Sequence, residues 1–367
     1  MKVGFVTTYS AKHPAGLERC TLDLLISVLN KDRQNQYLIY TKQGSGLAGS
    51  LAGVEHPNFK VIEIGFGSFW KEFGLFFAPK SDIYIFNGQV APILFSPKNS
   101  LVLIYDFAHK YFKVDSLSKK IKNYFMDFSI KLGGIRAKRI ISISQATKDE
   151  MVKFYNTKAE KIDVMYLGVS GMRDLEQQKI NNSVEDFFFF IGTIKERKNV
   201  FNIVKAFILF KKQNPQHQHK LFLSGKYNQQ SPYIQKMLAY IKETDRQDDV
   251  IFLGHATDQE VSFLYHNARA LVFPSLLEGF GFPILEAMSC GTPVITSNIS
   301  SLKEVASSAA IQVNPRDVKE IAQAITSLVE DDDLHRQLTA AGIKRAEEFS
   351  WDKTAQRFIE IINKLNI

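Results

Sequence analysis

Pro274–Pro293 reads PSLLEGFGFPILEAMSCGTP, with Glu278 and Glu286 separated by seven residues. Between the two glutamates lie Gly279, Phe280, Gly281, Phe282 and Pro283. The glycines permit a tight loop and close backbone approach. Pro283 suits the first turn of a helix, where its missing N–H would be unpaired in any case. The pattern predicts a helix over 283–288 with Glu286 in its first turn and Glu278 on the loop before it. A helix start carries unpaired amides and favours negative charge. An anionic group such as a diphosphate would rest on the amides near Gly281 and Phe282, with the carboxylates free to accept hydrogen bonds from hydroxyls. Two glutamates flanking a turn are an ordinary find. The apolar run 270–273 before this loop and Gly291-Thr292-Pro293 leading into another apolar run make the stretch specific.

Outward from it, short apolar runs alternate with segments of helical spacing. Strands are expected over 3–7, 37–40, 61–64, 83–86, 101–104, 140–143 and 161–166, with helices over 17–29 and from Ser144. The pattern fades from Val169 to Glu185, where Gly171, Asn181, Asn182 and Ser183 read as a linker. A second alternation follows, with strands over 187–191, 221–223, 250–253, 270–273 and 293–296, and helices filling most of the remainder. Two such runs argue for an α/β chain of two doubly wound, Rossmann-like domains with parallel sheets. The expected domains are 1–170 and 171–351, with an amphipathic tail helix over 352–367. Ligands of such sheets bind beyond the carboxyl ends of the strands, which implies a cleft where two domains face each other.

The 367 residues are 45% hydrophobic and 23% charged, which suits globular domains and excludes a disordered chain. Cys20 and Cys290 stand far apart, without the spacing of a disulfide framework or a metal site; two small buried side chains are the simpler account. The start lacks the pattern of a signal peptide, and no stretch has the roughly 20 apolar residues of a membrane span. Asp331-Asp332-Asp333 precedes a helix and reads as capping rather than metal binding. The net charge of +8 is concentrated over 110–139, where Lys110, Lys113, Lys119, Lys120, Lys122, Lys131, Arg136, Lys138 and Arg139 face only Asp115 and Asp127. Such a cluster implies an anionic partner. No nucleic-acid-binding module accompanies it. Aromatics interleave with these charges, and a second aromatic segment runs from Phe66 to Phe77. Both suit an anionic membrane surface, although aromatics in the core and solvated lysines would account for them equally well.

The Glu278–Glu286 segment resembles the E-x7-E signature of the retaining family-4 glycosyltransferases, and the chain is similar to members acting as mannosyltransferases in bacterial polysaccharide and glycolipid assembly. The resemblance extends along most of the chain. Gly192-Thr193-Ile194-Lys195-Glu196-Arg197-Lys198-Asn199 is similar to the family's phosphate-binding loop. Ala15-Gly16-Leu17-Glu18-Arg19 resembles its Gly-rich loop facing the sugar-transfer site, and Phe252-Leu253-Gly254-His255 the segment near the nucleotide base. The implied fold is GT-B, two Rossmann-like domains facing across a cleft. The first domain would take the acceptor and the second the donor, with the tail helix crossing back onto the first.

The implied activity is retaining transfer of a hexose from a GDP- or UDP-sugar to a glycan or lipid-linked acceptor, without metal or cofactor, on the cytoplasmic side and at most peripherally membrane-bound. Glu286 would hold the ribose, Glu278 would orient the sugar, and Arg197 with Lys198 would contact the diphosphate, together with Gly192 and the helix start at Gly281, Phe282 and Pro283. One departure stands out. Where many members carry His-Asp or His-Glu after the strand matching 101–104, this chain has Tyr105-Asp106, with His109 shortly after. Tyr105 substitutes in positioning donor or acceptor, or the donor phosphate serves as the base, or activity has been lost. A sugar-nucleotide epimerase and a silent donor-binding partner of a glycan-assembly complex are the alternative functions.

Overall fold

The structure, a computed structural model, describes residues 1–11, 16–88, 90–112, 116–169, 171–179 and 186–365. Lys113, Asp115, Ala15, Asn181, Asn182 and Ser183 lie outside the described residues. The chain divides into two compact units. One is Met1–Gly168 with Ser350–Ile367, and the other is Val169–Phe349.

The first unit is built on seven parallel strands: β1 (Lys2–Thr7), β2 (Gln36–Lys42), β3 (Phe59–Ile64), β4 (Ile83–Asn87), β5 (Ser100–Ile104), β6 (Arg139–Ser142) and β7 (Ile162–Val164), in the order β3-β2-β1-β4-β5-β6-β7. β4 and β5 are buried at every position, as expected of parallel strands covered on both faces. The helices of this unit include α1 (Gly16–Lys31), α2 (Leu117–Arg136) and α3 (Gln145–Tyr155). α3 opens on Ser144, whose hydroxyl accepts from the Thr147 amide, the cap chemistry legible in the sequence.

The second unit holds six parallel strands: β8 (Phe187–Ile191), β9 (Lys220–Ser224), β10 (Val250–Gly254), β11 (Ala270–Phe273), β12 (Val294–Ser297) and β13 (Ile311–Val313), in the order β10-β9-β8-β11-β12-β13. β8 is Phe-Phe-Phe-Phe-Ile, and its four phenylalanines are fully buried. Its helices are α4 (Val200–Gln213), α5 (Pro232–Glu243), α6 (Asp258–Asn267), α7 (Phe282–Ser289), α8 (Ser300–Ala306), α9 (Val318–Glu330) and α10 (Asp332–Ala346). Thr257 and Glu260 close a capping box on α6, and Asp331 caps α10 by accepting from Leu334 N.

Two expectations need correction. The sequence reading ended the strands at 293–296, but β13 follows; three residues are too few to show an alternation. α7 begins at Phe282, one residue before Pro283, so Glu286 falls in the second turn rather than the first. The helix starts early because Gly281 takes the left-handed conformation (φ +116°) that turns the chain into it.

The tail forms α11 (Trp351–Asn363) and belongs to the first unit. Ala355, Phe358, Ile361 and Ile362 line its buried stripe, and Phe358 lies 6.3 Å from Phe5 of β1, ring centre to ring centre. Thr354 Oγ1 donates to Tyr166 O (2.9 Å), and Lys31 Nζ meets Asp352 Oδ1 at 2.7 Å. Full burial of each such apolar side chain contributes about 1.5–3 kcal/mol. Deleting residues 350–367 is therefore expected to unfold the first unit or lower its melting temperature by more than about 10 °C, while the second keeps its own transition. Calorimetry showing an unchanged first transition would contradict this packing.

Candidate functional site

In a doubly wound sheet the strand order reverses at one point, and loops leaving the carboxyl ends of the two strands there diverge to opposite faces and leave a crevice. In the second unit that point lies between β8 and β11, which pair in parallel. The loops leaving those two strands carry the residues singled out in the sequence.

After β8 comes Gly192 (φ +132°), then a single 3₁₀ turn, Glu196–Lys198. After β11 the chain runs through Pro274–Gly281 into α7. The two loops are bolted together. Leu276 N donates to Arg197 O (2.9 Å), and Arg197 Nη1 donates to Leu277 O (2.7 Å). Arg197 Nη1 also lies 3.0 Å from Glu278 Oε2, and Lys198 Nζ lies 2.6 Å from Glu278 Oε1. One carboxylate thus holds both cations. Its side chain is 10% exposed, against 15% for Lys198 and 29% for Arg197, so the cations are the more open members. Burial pushes the Glu278 carboxyl up, but Lys198 and then Arg197 outweigh it and hold it below its ordinary 4.5. Lys198 also sits over the Phe273 ring, 4.8 Å from its centre. The backbone of Glu278 is fixed from behind, where its carbonyl accepts from Ser301 Oγ (2.7 Å) and Ser300 Oγ (3.2 Å). Gly281 has no room for a side chain: a Cβ there would meet Leu302 Cδ2 at 2.7 Å.

Glu286 has a different partner, which sequence reasoning missed. Tyr265, fully buried on α6, donates its hydroxyl to Glu286 Oε2 at 2.7 Å. Burial, and then the Glu286 charge, raise the phenol well above its ordinary 10, so it stays a donor. A tyrosine at a position that α6 buries, rather than a leucine, is the signal the sequence offers for it. His255 follows β10 and is exposed.

In the first unit, Gly16 opens α1 and is exposed. Tyr105 follows β5, and its phenol turns inward and donates to Asn87 Oδ1 at 2.5 Å. Asp106 Oδ1 accepts from Ala108 N (3.0 Å). His109 turns to Asp127 Oδ1 (2.8 Å) and Tyr155 OH (3.3 Å) within the unit.

The basic stretch contains an unusual helix. α2 buries Ser129, Ile130, Gly133 and Gly134, and Gly133 approaches Ala91 and Val102 closely. Its large apolar residues Leu117, Ile121, Tyr124, Phe125, Phe128 and Ile135 recur at helical spacing on the other side, and all are exposed, Leu117 by 72% and Tyr124 by 71%. The aromatics of 66–77 are likewise exposed, Phe77 by 79%, with Trp70 turned into the core. A core assignment for most of these aromatics is thereby corrected: a helix packed by small residues leaves its bulky ones outside.

Residues 172–345 match the model of the glycosyl transferases group 1 family. That stretch contains Arg197, Lys198, Glu278 and Glu286.

Residues 172–345 are thus similar to a group 1 glycosyl transferase domain.

The likeness extends beyond this stretch. The chain is 31% identical over 243 residues to the O-antigen chain mannosyltransferase B of Escherichia coli, covering 64% of this chain and 63% of that protein. It is 32% identical over 231 residues to the O-antigen chain mannosyltransferase RfbU of Salmonella typhimurium, covering 63% and 61%. The alignments thus span less than two thirds of either relative. Among solved structures, HepE of Anabaena in complex with UDP and glucose superposes with a TM-score of 0.75 at 18% identity, over the full length of both chains. WaaG, a glycosyltransferase involved in lipopolysaccharide biosynthesis, gives 0.71 at 17% identity over 98% of this chain and 99% of its own. The fold is therefore the GT-B type, with two Rossmann-like α/β domains.

Because the Glu278 carboxyl is depressed in the fold, its pairing stabilises fully above the unfolded pKa near 4.5 and is lost as pH falls through the lower folded value. Glu278→Gln is expected to cost on the order of 3–5 kcal/mol at pH 7, since it leaves two cations uncompensated. The gap to wild type should shrink below pH 4.5 in denaturant titrations of the second unit. A gap independent of pH would mean that the carboxylate charge contributes nothing.

Proposed function

We propose that this chain is a retaining hexosyltransferase that moves a sugar from a nucleoside diphosphate donor, GDP- or UDP-linked, to a glycan or lipid-linked acceptor in cell-surface polysaccharide or glycolipid assembly. The observation that carries the reading is the Arg197–Lys198–Glu278 cluster at the β8/β11 switch point. The names of the relatives favour mannose as the hexose.

In this reading the donor diphosphate lies between Arg197 and Lys198 and the start of α7 at Gly281, Phe282 and Pro283, with Gly192 beneath. Breaking the bond between the sugar C1 and the phosphate oxygen builds negative charge on the departing diphosphate. Two cations fixed beforehand stabilise that charge more in the transition state than in the ground state. They take the role a divalent metal plays elsewhere, so neither metal nor cofactor is required. Glu278 holds the cations in register and presents its remaining acceptor capacity to the sugar. Glu286, held by Tyr265, accepts from the ribose hydroxyls, and His255 lies toward the base. The acceptor hydroxyl attacks C1 on the face the diphosphate leaves. Its proton passes to the leaving phosphate oxygen, so configuration is retained. Gly16 and Asp106 are the acceptor-side candidates.

The outward apolar stripe of α2, with Lys120 and Lys131 near it, suits an anionic bilayer: rings enter the headgroup layer and ammonium groups meet lipid phosphates. The exposed aromatics of 66–77 add a second contact. This supports a place on the cytoplasmic face of the cell membrane, where a lipid-linked acceptor is at hand. No described helix is long and apolar enough to cross the membrane.

Lys198→Ala and Arg197→Ala are each expected to lower kcat by about 10²-fold or more in a nucleotide-release assay. Near-normal turnover in both would remove the cations from the mechanism. The chain should float with anionic vesicles at low salt, and Phe125→Ser with Phe128→Ser should abolish flotation without lowering turnover on a soluble acceptor. A wild-type chain that stays at the bottom of the gradient would sink the membrane assignment.

A further inference from the structure

We propose that Tyr105 is a positioning residue for the transfer step, acting through Asn87 and Thr21 on the first turn of α1. The proposal rests on the glycosyl-transfer reading above.

The four groups form a hydrogen-bond chain with a fixed direction. The Tyr105 hydroxyl donates to Asn87 Oδ1 (2.5 Å), Asn87 Nδ2 donates to Thr21 Oγ1 (2.8 Å), and Thr21 Oγ1 donates to the Leu17 carbonyl (2.8 Å). Tyr105 follows β5, Asn87 ends β4, and Thr21 and Leu17 belong to α1. The chain therefore ties the two strands to the helix that follows β1. Asn87 and Thr21 are buried, and Tyr105 is 9% exposed. Burial, and then neighbouring Cys20, raise the phenol well above its ordinary 10, so it remains a donor at any working pH.

The Asn87 amide is oriented to accept from Tyr105. With it reversed, the phenolic proton would face an N–H and would turn instead to the Thr21 hydroxyl or the Cys20 sulfur beside it. Either turn takes the phenolic proton away from Asn87 and breaks the relay at its first link. In the orientation seen, Asn87 accepts from the phenol and donates to Thr21, which leaves the Thr21 hydroxyl hydrogen to hold Leu17 O.

The location gives the chain its consequence. The first unit's strand order reverses between β1 and β4, so its ligand crevice opens where this chain ends. A small pocket there is lined by Thr7, Thr8, Leu17 and Glu18 together with Thr21 and Asn87. Three members of the chain, Asn87, Thr21 and Leu17, are thus also pocket wall. A phenol that cannot touch a ligand still fixes the groups that can. A misplacement of reacting groups by about 1 Å can cost 10²-fold in rate.

Three variants test the proposal. Tyr105→Phe removes the first donor and keeps the ring. Thr21→Val breaks the chain at its far end, and Thr21→Ser keeps the hydroxyl. Expected for Tyr105→Phe and Thr21→Val is a fall in kcat of about tenfold or more, with nucleoside diphosphate affinity, measured calorimetrically, unchanged. The double variant should be no slower than the slower single, and Thr21→Ser should recover most of the activity lost in Thr21→Val. Amide hydrogen exchange over the start of α1 should quicken in the two impaired variants and not in Thr21→Ser.

Wild-type kcat in Tyr105→Phe, with only a lower melting temperature, would overturn the proposal and leave a structural bond. So would Thr21→Ser as slow as Thr21→Val, or a loss of nucleoside diphosphate affinity alongside the rate. Absence of sugar transfer by the wild-type chain would overturn the glycosyl-transfer reading itself, and this proposal with it.

Discussion

A carboxylate buried between two cations organises the second unit's ligand-facing edge. Glu278 neutralises part of the charge of Arg197 and Lys198 and, in doing so, fixes where the rest of it points. Without it, two basic side chains on a three-residue turn would repel each other and wander into solvent. Without them, a carboxylate that is nearly all buried would be driven to the neutral form. Each member makes the others tolerable, and the backbone bonds between the 197 turn and the 276–277 loop hold the geometry. The position of this cluster follows from topology, since β8 and β11 are adjacent although α4, β9, α5, β10 and α6 lie between them in the chain.

That dependence explains why so much could be read from the sequence. Glycine at 281 and proline at 283 prescribe a loop turning into a helix whatever surrounds them. The Phe187–Ile191 run could only be a strand buried on both faces. Both are local facts with local causes. What stayed hidden has non-local causes. Tyr265 meets Glu286 across 21 positions, and nothing near either residue announces the other. Tyr105 drew attention because it stands where the family carries a histidine; the partner its phenol meets, Asn87, comes from another strand. β13 is formed by three residues whose only distinction is the strand beside them.

α2 inverts the usual logic of an amphipathic helix. Its periodicity marks an apolar face, and periodicity alone would assign that face to the core. The glycines and serine on the opposite face decide otherwise, because they let the helix backbone approach β5 and leave the bulky residues outward. The first unit thereby separates two tasks. Its strand ends gather hydrogen-bonded polar groups near a pocket, while its helical flank presents rings and lysines to whatever lies outside.

The claim that the Arg197–Lys198–Glu278 cluster receives a donor diphosphate is most directly tested by mapping amide hydrogen exchange with and without a nucleoside diphosphate. The account predicts slowed exchange over 192–199 and 278–284 on addition of GDP or UDP, and no such change with the bare nucleoside. Protection confined to other segments, or equal protection by the nucleoside, would contradict it.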